Sequence, residues 1–119
     1  MSAESASAGC ILDVAGTLAR FGGDQQLFSE MAAFFFDDAP RLYSELRAAV
    51  ERHDAADVRM SAHALKGLVA GCGGVRTANA AQKVETAGQE DNLNNIEPLV
   101  ENLGDELELL TQALEAYRA

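Results

Sequence analysis

The residues best suited to chemistry lie mid-chain, in Ser61-Ala62-His63-Ala64-Leu65-Lys66-Gly67. On a helical wheel of about 100° per residue, Val58, Ala62, Leu65, Leu68, Val69 and Cys72 form one apolar stripe. His63 falls roughly 160° from the centre of that stripe and is expected to face solvent. Gly67, Gly71 and Gly74 follow it at i+4, i+8 and i+11. A glycine inside a helix costs about 1 kcal/mol against alanine, so Gly67, within the periodic run, needs a reason. Helical side chains lean toward the N-terminus, so the missing side chain at Gly67 clears space beside His63. Lys66, at i+3, can bring its ammonium to the same place. Met60, at i−3, adds an exposed apolar contact.

An exposed imidazole is a nucleophile near neutral pH, and an adjacent cation favours a dianionic phosphoryl group on it. The constellation therefore suits reversible phosphorylation of His63. Met60, Gly67, Gly71 and Gly74 form the expected docking face for a partner. Each residue also has a plainer reading. An isolated exposed histidine is commonly just a surface residue, and Gly71, Gly73 and Gly74 also fit a helix C-cap and turn. Cys72, on the apolar stripe, reads as packed.

Other chemistries lack their residues. His53 has no partner at ligand spacing and no Glu-x-x-His occurs, so no metal site is expected. Gly71-Cys72-Gly73-Gly74 is not followed by Gly-Lys-Ser/Thr, which excludes a P-loop, and no ATP-binding fingerprint accompanies it. Ser61 has no acid partner at a useful spacing for a hydrolytic triad.

The elements that must position these residues are helical. A short helix is predicted over 13–21, with Asp13 as N-cap and Leu18 and Phe21 facing inward. Gly22-Gly23 end it and Asp24 caps the next. Leu27, Met31, Phe34 and Phe35, then Leu42, Leu46 and Val50, continue at helical spacing, with a kink or break before Pro40. Asp54 caps a helix over about 55–71. Another covers 75–88, with a small-residue face of Ala78, Ala81 and Val84. In the last, Ile96, Val100, Leu103, Leu107, Leu110, Leu114 and Tyr117 form an a/d seam, and Pro98 lies in its first turn. The expected fold is all-α: an antiparallel four-helix bundle with an additional short N-terminal helix, over residues 10–119, after a disordered leader at 1–9.

Composition narrows the partners. The chain has 119 residues, one ordinary domain, with 9 Lys plus Arg against 19 Asp plus Glu for a net charge of −10. That acidity argues against nucleic acid and against anionic membrane surfaces. No apolar run reaches the length of a membrane span, and no secretory signal opens the chain. Two distant cysteines, Cys10 and Cys72, suggest no disulfide framework, so a reduced, cytoplasmic setting is expected.

Ala62-His63-Ala64-Leu65-Lys66-Gly67, with Gly73 ten residues after the histidine and Val84-Glu85 at +21 and +22, resembles the histidine-containing phosphotransfer (HPt) domain family. The likeness extends over about residues 11–117, including Phe21-Gly22-Gly23-Asp24 and Asp38-Ala39-Pro40. It implies that His63 is phosphorylated, through Nε2, and that Lys66 supports the phosphoryl group. Gly67 and Gly73 would permit close approach and tight helix packing. By the same likeness Glu85 would accept a hydrogen bond from Nδ1–H; taken alone, it reads equally as a solvated helix residue. Gly71 stands where the family usually carries a polar residue, and Thr77 where leucine is usual, which predicts a thinner core between the third and fourth helices.

The implied function is that of a phosphorelay carrier. His63 would accept a phosphoryl group from the aspartate of one response-regulator receiver domain and pass it to another. A sensor histidine kinase, of the hybrid type, would stand upstream. No cofactor is expected on this chain, Mg²⁺ being supplied by the receiver, and a monomer is expected. The alternative is an interaction module that binds receivers or a kinase without carrying phosphate.

Overall fold

The computed structural model describes residues 9–118, so the leader expected over residues 1–9 lies, apart from Gly9, outside the described residues. These form α1 (Val14–Arg20), α2 (Gln25–Glu51), α3 (Ala55–Gly71), α4 (Val75–Gln89) and α5 (Ile96–Arg118), with no strand among them. The all-α reading holds.

Three of the starts are set by aspartates. Asp13, Asp24 and Asp54 accept hydrogen bonds from the backbone N–H groups of Gly16, Leu27 and Asp57, which the first turn of a helix leaves without intrahelical partners. Gly22 and Gly23, at φ 65° and 82°, turn the chain from α1 into α2 with a left-handed backbone that favours glycine.

Pro40 does not break α2, which is helical from Gln25 to Glu51. Burial of Phe35, Ala39 and Leu46 on both sides of the proline holds the helix on the bundle, and packing outweighs the lost N–H bond.

The core is a seam through the bundle. Leu46, Val58, Leu65, Val69, Val84, Leu103, Leu110 and Leu114 are fully covered. The predicted α5 stripe is buried from Ile96 to Leu114, but Tyr117 is 42% exposed and lies edge-to-face on Phe28, ring centroids 5.2 Å apart. On α2 the inward phenylalanines are Phe28 and Phe35, whereas Leu27 and Phe34, placed on the apolar run by their spacing, face solvent. A helix rich in apolar residues offers two adjacent stripes, and packing against α3 and α5 selects one.

Thr77 ties α4 to α5. It is fully buried, and its hydroxyl donates to the Glu106 carbonyl on α5 at 3.2 Å. Among the described residues no helix is long and apolar enough to cross a membrane.

Candidate functional site

α3 and α4 approach closely because α4 presents small residues to α3. A Cβ on Gly88 would lie 2.8 Å from the Arg59 backbone nitrogen, so only glycine fits the crossing. One turn earlier on α4, Glu85 reaches His63.

Val58, Ala62, Leu65 and Val69 bury one face of α3, and His63 leaves from the other with 65% of its side chain exposed. Its Nδ1 is 3.0 Å from Oε2 of Glu85. The second oxygen of that carboxylate, Oε1, is 2.8 Å from Nζ of Lys66. Lys66 also donates to Oε1 of Gln82 at 2.9 Å, and Gln82 Nε2 donates to Thr86 Oγ1 at 3.0 Å. Glu85 is almost covered. Burial would raise its pKa, but hydrogen bonds from Lys66 and His63, together with their charge, outweigh it and hold the carboxyl below the usual glutamate value.

The tautomer follows. An ionised carboxylate only accepts, so Nδ1 of His63 carries the hydrogen. In the neutral ring Nε2 then holds the lone pair. The more exposed part of the site therefore presents a nucleophilic nitrogen, oriented from behind by Glu85. Lys66 shares the Glu85 carboxylate with the histidine, its ammonium anchored on Glu85 and Gln82.

The glycines divide. Gly67 faces open space, with nothing within 4 Å of a Cβ built there. Gly71 and Gly74 do not continue this cleared face. A Cβ on Gly71 would meet the Met31 terminal methyl at 2.8 Å, so α2 covers it. Gly74 is buried, its Cβ position crowded by Leu110 and the Val69 carbonyl. The wheel fails there because α3 ends at Gly71 and the chain reverses through Gly73, at φ 86°. Gly74 is thus the N-cap of α4 and points inward.

Gly73 is itself packed. Its carbonyl accepts from the Asp13 N–H at 2.9 Å, and a Cβ would strike Thr17 and the Asp13 carbonyl. Arg20 donates to the Ala70 carbonyl at 3.1 Å. α1 thereby clamps the turn that follows the histidine helix.

Met60 is 59% exposed, as expected, and with Leu42, Ala48 and Ala64 lines a groove between α2 and α3. Phe34, equally exposed, is an apolar surface residue that the periodicity placed inside. Gln82 and Thr86 were not anticipated. Their signal was available: both lie within a turn of Glu85 on α4, at i−3 and i+1. Among the described residues no group of three or more His, Cys, Asp or Glu could hold a metal ion.

Comparison with known proteins agrees with this geometry. The Hpt domain model matches residues 30–119. The structure is similar to histidine-containing phosphotransfer protein B (HptB) from Pseudomonas aeruginosa PAO1, with 21% identity and a TM-score of 0.84, over 92% of this chain and 96% of that one. It is also similar to the HPT domain from the Hpt sensor hybrid histidine kinase from Shewanella, with 25% identity and a TM-score of 0.78, over 90% and 92% of the two chains. No curated protein matches. With three-quarters of its length matched by the family model and a histidine displayed on the third helix of the bundle, the chain belongs to the Hpt domain family, the phosphotransfer proteins of phosphorelays.

Proposed function

We propose that His63 is the phosphoryl-carrying residue, that it takes the group from the aspartyl phosphate of one receiver domain, and that it delivers it to the aspartate of a second. The observation that carries this reading is the pairing of an exposed ring with an ionised carboxylate on Nδ1. It leaves the Nε2 lone pair directed away from Glu85.

In the transfer, Nε2 attacks phosphorus. The Nε2–P bond forms as the P–O bond to the aspartate breaks, and the carboxylate leaves with the electron pair. The hydrogen stays on Nδ1, and the positive charge that the ring acquires lies against Glu85. Delivery to the second receiver is the reverse sequence on a new aspartate. Phosphohistidine and acyl phosphate are both high-energy, so the exchange is reversible. Mg²⁺ belongs to the receiver in this reading, and the chain is a carrier without its own ATP site. A hybrid sensor kinase is the upstream source. Lys66 supplies positive charge beside the carried group, and Gly67 and Met60 belong to the surface a receiver meets.

The test is transfer from a receiver bearing a radiolabelled phosphoryl group. Wild-type protein is expected to take the label in acid-labile, base-stable form, and His63→Gln to take none while folding normally. Equal labelling of the variant overturns the assignment of His63. Binding of receivers without any labelling of wild type favours the interaction-module reading instead.

A further inference from the structure

We infer that Gln82 is a positioning residue for the phosphoryl site, acting through Lys66; this rests on the reading of His63 given above. Gln82 is exposed on α4, and its hydrogen bonds go to Lys66 and Thr86. Its amide oxygen accepts from Lys66 Nζ at 2.9 Å, and its amide nitrogen is spent on Thr86 Oγ1 at 3.0 Å. The second bond fixes the orientation of the amide, so that the oxygen faces the lysine.

An ammonium has three N–H donors. Gln82 Oε1 accepts one of them, and Glu85 Oε1 stands 2.8 Å from Nζ as an ion pair. Two oxygens from successive turns of α4 define the position of Nζ, and donor capacity is left for a further acceptor. A lysine held by the carboxylate alone could swing about that single contact, because its stem has free rotamers. It would also be drawn wholly onto Glu85, in competition with His63 for the same carboxylate. Gln82 opposes both. It is a neutral acceptor, so it holds the ammonium without cancelling the charge that a phosphoryl group would meet. A glutamate there would hold the lysine as well but would repel the incoming anion.

The experiment combines Gln82→Leu, Gln82→Glu and Lys66→Ala with a double-variant cycle. Gln82→Leu is expected to slow phosphoryl transfer from a labelled receiver on the order of five- to ten-fold, the scale of an ordinary net hydrogen bond, with no change in thermal midpoint. In the Lys66→Ala background the same change is expected to have no further effect. A second readout needs no phosphate. The Lys66 ammonium resonance, seen by nitrogen-detected NMR in the cold, is expected to be slowed in exchange in wild type and in Gln82→Glu, and broadened in Gln82→Leu. Gln82→Glu is expected to keep that resonance yet transfer more slowly than wild type. Wild-type transfer rates in Gln82→Leu, or multiplying effects of Gln82→Leu and Lys66→Ala, overturn the inference while leaving His63 as the carrier. Failure of wild type to accept any label overturns the underlying reading, and the NMR comparison still decides whether Gln82 holds the lysine.

Discussion

Nδ1 of His63 stands 3.0 Å from Oε2 of Glu85, a residue 22 positions later on the neighbouring helix. That contact turns a solvent-facing histidine into an oriented one. The carboxylate accepts the hydrogen on the inner nitrogen, and the outer nitrogen keeps its lone pair.

The contact makes stability sensitive to acid. The Glu85 carboxyl lies below its ordinary value in the folded chain, so the native state binds fewer protons than the unfolded state in the acid range. Its contribution is complete above the unfolded glutamate pKa of about 4.3 and is lost as pH falls through the folded value. Urea midpoints measured from neutral pH downward are expected to fall more steeply for wild type than for Glu85→Gln. Parallel curves would show that the carboxylate is not held by its neighbours.

Gly67 separates folding from function. Its Cβ position is empty, so Gly67→Ala is expected to stabilise α3 by about 1 kcal/mol, raising the thermal midpoint by a few degrees. Gly67→Leu is expected to remain folded but to slow labelling by a receiver, because the side chain would stand beside His63. Unimpaired transfer by the leucine variant would mean that no partner approaches this face.

Gly88 should behave in the opposite way. A Cβ there meets backbone on α3, at 2.8 Å from Arg59 N and 3.0 Å from Ala55 O, which cannot swing aside. Gly88→Ala is expected to cost about 1–3 kcal/mol, as overpacking does, and to shift the His63 imidazole NMR signals by moving Glu85 away. A chemical denaturation curve overlying that of wild type would contradict the close helix crossing.

Cys72 is buried, and burial pushes its thiol pKa up to about 11. Its hydrogen is directed to the Met31 carbonyl at 3.4 Å. Iodoacetamide at neutral pH is expected to leave Cys72 unmodified in the folded protein and to alkylate it after denaturation, as mass spectrometry of the peptide would show. Rapid native alkylation would indicate that the turn at the end of α3 opens readily.

The displayed histidine, its lysine and the clearing at Gly67 were legible from α3 alone, since one helix determines which of its own residues share a face. The aspartate caps were legible for the same reason. Phe34 and Leu27 lie outside the core because α2 carries apolar residues on two adjacent stripes, and nothing local says which will meet α3 and α5. Gly74 leaves the histidine's face because α3 ends at Gly71 and the chain turns through the left-handed backbone of Gly73.

Local periodicity thus settled that the chain is a set of amphipathic helices and that His63 points outward. Both properties depend on residues within a few turns of each other. The choice of Glu85 as the partner of Nδ1, and of Gln82 as the second anchor of Lys66, came from how closely α4 lies on α3. That distance is set by Gly88 against the Arg59 backbone, and the turn that aligns the two helices is clamped by Asp13, Thr17 and Arg20. These contacts join residues far apart in the chain, and only packing of the whole bundle brings them together.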